Sequence, residues 1–250
     1  MEGGTRMRLE TYNPSILKDT FDAISHIIDE CELTCTTEGI TINALDKSHI
    51  TFIQLEYRKT LFDEYAADNE QLLVDTNELM KILKRCKNND ILSFETDNHN
   101  LIITMKGDST KQFKLRLIDQ EYNTPVPPMI DYPICLEVSS ELIKDSLEDC
   151  NIYGENIVFT VDEDYLHICS STADGLFGET HIKYIHGENI RQVCRSSYSI
   201  EKLKDIFRAS KISKTCMLCL GDDLPLTVKF KLPGDDGEIG FLLAPRLEER

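Results

Sequence analysis

The chain has no tryptophan among its 250 residues, only six histidines and only twelve glycines. No apolar run approaches the roughly 20 residues that a membrane-spanning helix requires. The start, Met1-Glu2-Gly3-Gly4-Thr5, lacks the apolar stretch of a secretory leader, and Gly3-Gly4 reads as a flexible beginning. An intracellular protein is expected. Positive charge is scarce as well: 27 Lys and Arg face 44 Asp and Glu, for a formal net charge of −17. That balance excludes a domain coated in basic residues. It allows a local basic surface on an acidic body.

The usual signatures of an active site are also missing. There is no GxxxxGK[ST], GxSxG, HExxH or GxGxxG. Asp162-Glu163-Asp164, Asp222-Asp223 and Asp235-Asp236 could be drawn as a two-metal hydrolase cluster. Each adjoins a turn between strands, where solvated Asp is common. Asp46, Ser48 and His49 hint at a triad, yet on one short segment the His cannot stand between the other two. The histidines share no spacing. Neither catalytic residues, nor a metal, nor a cofactor is expected.

The nine cysteines are scattered, and Cys86, Cys150, Cys169 and Cys194 sit singly. They read as small buried thiols rather than disulfides in an intracellular chain. Cys216 and Cys219 have CxxC spacing but lie in an alternating apolar run, Thr215 to Leu220. On a strand, residues three apart face opposite ways, so the two sulfurs cannot easily share an ion. Cys31 and Cys35 are no better placed.

What the sequence does contain is an internal repeat. Ser15-Ile16-Leu17-Lys18-Asp19 opens an amphipathic stretch to Asp29, and Glu141-Leu142-Ile143-Lys144-Asp145 opens a similar one to Asn151. Leu79, Ile82, Leu83 and Lys84 match Leu203, Ile206, Phe207 and Arg208 half a chain later. Two amphipathic helices thus recur in the same order. Between them the chain alternates or is rich in β-branched residues, as in 39–57, 91–94, 101–105 and 112–118. The same holds for 157–161, 165–169, 180–184, 216–220, 226–232 and 238–243. Turns such as Thr96-Asp97-Asn98 separate the strands. Strands follow one another without alternating helices, which predicts an α+β fold with antiparallel sheets. The halves meet at Asp119 to Pro133, where Pro125, Pro127, Pro128 and Pro133 enforce an extended connector. Its apolar Val126, Met129 and Ile130 suggest that it lies against a surface.

The scarce cations are concentrated. Thr76–Lys87 holds four basic residues and one acidic, with Asp75 or Thr76 as N-cap. Ile200–Lys214 holds five basic and two acidic residues, and Lys204, Arg208 and Lys211 are spaced to share one helical face. Such a surface contacts phosphates without reading bases. No aromatic residues interleave with these lysines, which argues against stacking on single strands.

Three segments then identify a resemblance. Leu45-Asp46-Lys47-Ser48-His49-Ile50 resembles a strand-and-loop motif of the proliferating cell nuclear antigen (PCNA) family, the sliding clamps of DNA polymerases. Phe62-Asp63-Glu64-Tyr65 followed by Val74 to Lys84 is similar to that family's signature segment, and Phe241 to Glu249 to its ending. The resemblance runs from about Met7 to Glu249. It implies two topologically similar domains, 1–118 and 134–250, joined by the connector 119–133. Antiparallel sheets would lie outside and two helices from each domain would line a homotrimeric ring. The implied function is a clamp that encircles duplex DNA as processivity factor for DNA polymerase and as docking platform for replication and repair proteins. An open-faced monomeric processivity factor is the alternative.

Carried over by position, the DNA-facing residues would be Lys18, Lys81, Lys84, Lys144, Lys204 and Arg208, with Lys211 added from helix geometry. The first helix of each repeat departs from the pattern by being acidic overall, and Glu201 stands where a basic residue is often found. Partners, including the clamp loader, would insert a short motif into a pocket of Leu45, His49, Ile50, Phe52, Val126, Pro127, Met129, Pro225, Leu242, Ala244 and Pro245. Ring closure would pair strands near Lys111–Leu117 and Gly175–Tyr184 across subunits. The protein would be DNA-associated, in the nucleus for a eukaryotic or viral member and in the cytoplasm for an archaeal one.

Overall fold

The computed structural model describes residues 7–97, 99–172, 174–188 and 194–246. The opening Gly3-Gly4, the turn residue Asn98 and the last residues of the C-terminal motif, from Leu247 on, lie outside the described residues.

The first half runs β1 (Arg8–Thr11), α1 (Pro14–Ser25), β2 (Glu30–Thr36), β3 (Gly39–Leu45), β4 (Thr51–Arg58), β5 (Glu64–Ala66), β6 (Glu70–Asp75), α2 (Thr76–Leu83), β7 (Ile91–Thr96), β8 (Asn100–Lys106) and β9 (Thr110–Arg116). The second half repeats that succession: β10 (Ile134–Ser139), α3 (Ser140–Cys150), β11 (Asn156–Val161), β12 (Tyr165–Ser171), β13 (Phe177–Lys183), β14 (His186–Glu188), β15 (Cys194–Ser199), α4 (Ile200–Ile206), β16 (Thr215–Leu220), β17 (Leu226–Lys231) and β18 (Gly237–Leu243). Strand neighbours repeat too. The order β5-β1-β7-β8-β9 has its counterpart in β14-β10-β16-β17-β18, and β2 lies between β6 and β3 as β11 lies between β15 and β12. The pairing is antiparallel, as in β7 with β8 and β11 with β12. It is an α+β architecture with antiparallel sheets, as the sequence predicts.

Two compact units emerge. One comprises the chain up to Lys47, Ile53–Pro127 and Leu232–Ile239; the other comprises Ser48–Phe52, Pro128–Lys231 and the chain from Gly240 on. The division between Pro127 and Pro128 falls inside the expected connector. In the first unit α1 packs on α2, with Leu17, Thr20, Phe21 and Ile24 forming its buried stripe. Pro14 starts α1, where its missing N–H is no loss. The helix ends at Ser25, short of the expected Asp29, because the amides of Ile27 and Ile28 both turn back to the Ile24 carbonyl at 2.9 Å. In α2 the cap is Asp75, whose Oδ1 accepts from the Glu78 N–H at 2.8 Å.

In the second unit the expected single helix from Ile200 to Lys214 is corrected. It stops at Ile206 and tightens into a 3₁₀ segment, Phe207–Lys211. The tighter turn buries Ile206, Phe207 and Ala209 together. Phe207 then packs edge-on against Phe230, which meets Phe241 the same way.

The expectation that the cysteines are all thiols is also corrected. Cys135 on β10 and Cys219 on β16 are joined by a disulfide. The register places them directly opposite one another on adjacent antiparallel strands. Cys216, three residues before Cys219, remains free and buried.

The connector follows the first unit up to Pro127. Thr124 Oγ1 donates to Glu32 Oε1 at 2.5 Å, and Gln120 Nε2 to Glu30 Oε2 at 3.3 Å. In the second unit the hydroxyls of Tyr132 and Thr227 lie 2.7 Å apart. Val126 and Met129 do not lie against a surface as expected: they are 85% and 102% exposed. Among the described residues, no helix is long and apolar enough to cross a membrane.

Candidate functional site

The cations of the first unit collect where α1 meets the end of α2. Lys18, on α1, donates from Nζ to the Cys86 carbonyl and to Asn88 Oδ1, both at 3.0 Å. Cys86 lies just past the last turn of α2, so the Lys18 ammonium meets the negative end of that helix. Lys84 and Arg85 are exposed in the same turn. Lys111 on β9 reaches the Arg85 carbonyl at 3.4 Å. Lys81 is exposed one turn earlier, and its Nζ lies 2.6 Å from Glu78 Oε1, which raises its pKa. Lys18 and Lys84 are thus brought to one end of the helix pair. Arg85 and Lys111 join them although neither was assigned to the site; for Arg85 the signal was its place in the basic stretch.

In the second unit α3 packs beside α4. Lys204 on α4 and Glu148 on α3 form an ion pair of 2.7 Å. Glu148 follows Lys144 by one helical turn, so these three residues share the junction of the two helices. Arg208 Nε lies 3.5 Å from Asp205 Oδ1. The 3₁₀ segment alters the expected common face: with three residues per turn, Lys211 stands directly over Arg208. Arg208 and Lys211 are exposed, and Lys204 is half-buried. Lys144 is exposed among Glu141, Asp145, Glu148 and Asp149, so the first helix of this repeat is acidic around its single cation.

The residues expected to bind partner peptides divide by environment. Within the second unit the Ile50 carbonyl accepts from the Ala244 N–H at 2.9 Å, which fixes the 48–52 segment beside the residues after β18. His49 is exposed and has a φ of 58°. Pro225, Leu242, Ala244 and Pro245 are half-buried, and Met129 stands free. Phe52 is 6% exposed and therefore belongs to the core instead of a peptide-facing surface. In the first unit Leu45 and Pro127 are half-buried and Val126 is exposed.

The turn carboxylates are held by hydrogen-bond partners. Asp162 Oδ1 accepts the amides of Asp164 and Tyr165 at 2.9 and 2.8 Å, and these bonds with one from His167 hold its pKa down to about 2. Asp222 Oδ1 accepts the Arg195 amide at 2.7 Å, and Asp236 Oδ1 accepts the Thr60 hydroxyl at 2.7 Å. The Asp162 bonds are those of a turn residue, whereas Asp222 and Asp236 tie their turns to segments 27 and 176 residues away.

Comparison with known proteins follows the same direction. A family profile described as proliferating cell nuclear antigen, N-terminal domain, matches residues 7–124. The chain is 47% identical to the DNA polymerase sliding clamp of Methanothermobacter thermautotrophicus over 96% of its length and 98% of the relative. It is 43% identical to the DNA polymerase sliding clamp of Methanobrevibacter smithii over the same shares. Its fold is similar to that of crystalline PCNA from Thermococcus kodakaraensis, with a TM-score of 0.90, 22% identity, and coverage of 96% of this chain and 100% of the other. A chain of the PCNA2–PCNA3 complex of Sulfolobus tokodaii gives 0.88 and 24%, with coverage of 97% and 100%.

Proposed function

The chain belongs to the PCNA family of DNA polymerase sliding clamps, and on that premise we propose that three copies close into a ring around duplex DNA. In that state it acts as a processivity factor for DNA polymerase. The observation that carries the ring is the pair of sheet edges: β9 ends one sheet and β13 ends another, and each is seven residues long. An exposed strand edge is a template for pairing with another chain. Pairing β9 of one copy with β13 of the next satisfies both edges. Leu176 and Phe177, exposed at the start of β13, become covered by the same step. An open-faced monomer would leave both edges in water.

Within this reading Lys18, Lys81, Lys84, Lys144, Lys204, Arg208 and Lys211 face the phosphates of the enclosed duplex. Each contact is weak and screened by salt, so the ring slides along the DNA. Closure, and not affinity, prevents escape. The acidic remainder of the surface repels nucleic acid from outside. A bound polymerase reaches a higher effective concentration at the DNA without any stronger contact of its own. Polymerase, loader and other partners dock by a short apolar motif near Ile50, Met129, Leu242 and Ala244. Relatives from methanogens support work on DNA in the cytoplasm. Light scattering tests the assembly: three chains per particle at micromolar concentration are expected, and a stable single chain contradicts it.

A further inference from the structure

We propose that His167, Glu179 and His181 bind one divalent transition-metal ion of the zinc, cobalt or nickel type on the second unit. The three residues come from neighbouring strands. His167 on β12 lies directly opposite His181 on β13, and Glu179 precedes His181 by one strand repeat. Period-two alternation puts all three on one face, because Leu166, Ile168 and Ile182 between them are buried. α3 packs against β12 and β13, so the apolar residues serve the core while the histidine face stays accessible.

The polar atoms converge. The two imidazole rings have centroids 4.5 Å apart. His181 Nε2 lies 3.1 Å from Glu179 Oε2, and His167 Nδ1 lies 3.7 Å from Glu179 Oε1. One ligand atom from each of the three lies within 4.8 Å of the others. Bonds of about 2.0–2.2 Å to a tetrahedral ion put donors roughly 3.5 Å apart. Small side-chain rotations achieve this, and side-chain exposures of 21%, 35% and 51% leave room for them.

A second feature supports ligation. His167 Nε2 lies 2.6 Å from Asp162 Oδ2. The other oxygen of Asp162 is fixed by the amides of Asp164 and Tyr165. A carboxylate that accepts a hydrogen bond from the Nε2–H of His167 leaves the lone pair on Nδ1, the nitrogen that faces Glu179. That carboxylate–imidazole relay orients histidine ligands in metal sites generally. Two imidazoles and one carboxylate suit zinc and its chemical neighbours, whereas calcium and magnesium require oxygen ligands. A fourth position stays open to water or to a group from a partner. In this arrangement Asp162 is a positioning residue and not a ligand.

The test uses the full chain without an affinity tag, stripped with EDTA and titrated with zinc by calorimetry. One ion per chain is expected, together with a rise in unfolding temperature on zinc addition. His181→Ala and Glu179→Gln, both at accessible side chains, should weaken zinc at least tenfold and abolish the thermal shift. Asp162→Asn should weaken it by about 10- to 100-fold while the metal-free unfolding temperature of His181→Ala stays near that of the parent. Unchanged zinc affinity in His181→Ala overturns the site, and so does the absence of zinc uptake by the parent chain.

Discussion

Lys204 Nζ on α4 and Glu148 Oε2 on α3 stand 2.7 Å apart. The pair sits at the surface, where such contacts contribute about 0–1 kcal/mol to stability. Its larger effect is on potential, because a cation assigned to DNA has its charge offset by a neighbouring carboxylate.

Removing that carboxylate should strengthen the grip on DNA. Glu148→Gln is expected to steepen the dependence of log affinity on log salt by about 0.9 for each additional phosphate neutralised. Lys204→Glu should do the reverse. Reversing Lys81, Lys84, Lys204 and Arg208 together should prevent stable loading and leave binding of a partner peptide unchanged. If peptide affinity collapsed as well, these residues would be structural. Salt titrations of DNA binding read all three variants.

The cap of α2 carries a second expectation. Asp75 Oδ1 accepts the Glu78 amide at 2.8 Å. Asp75→Ala leaves that amide without its partner and should cost about 1 kcal/mol in urea unfolding. An unaltered unfolding midpoint would show that water replaces the cap at no cost.

The β13 edge makes a third prediction. Leu176 and Phe177 are exposed, so replacing both by Glu should leave the chain folded. It should nevertheless reduce the trimer to monomers in light scattering. A variant that still assembles would remove β13 from the ring contact.

Burial of thiols gives a pH dependence. Cys31 and Cys216 are buried, and desolvation pushes each thiol up from 9.0 to about 12. The folded chain keeps these protons while the unfolded chain gives them up. Stability from this source is therefore complete below pH 9 and is lost as pH rises from 9 toward 12. Unfolding midpoints should fall across that window, and a small alkylating reagent should label both cysteines only after denaturation. Rapid labelling of either thiol in the native chain would contradict the burial.

The sequence was most legible where one physical demand dominates. α2 shows its cap, its stripe of Leu79 and Leu83, and its cations in consecutive residues. β12 alternates buried and more open positions cleanly. β1, β2 and β15 are harder to see because Glu10, Glu32, Ser196 and Ser199 occupy buried positions, which blurs the contrast between faces. The 3₁₀ turn at Phe207 depends on Phe230, a partner remote in sequence. Electrostatics within the site were hidden for the same reason. Basic stretches reveal Lys204, yet only the packing of α3 beside α4 brings Glu148 to it. Strand register likewise sets His167 opposite His181, a relation that linear spacing does not record.

The most direct test of the topological hold compares closed and cut DNA. Rings loaded on a closed circular duplex should survive a wash in moderate salt, and a single restriction cut should release them by sliding off the ends. Equal loss from closed and cut DNA would mean that charge alone holds the protein, and would contradict the clamp.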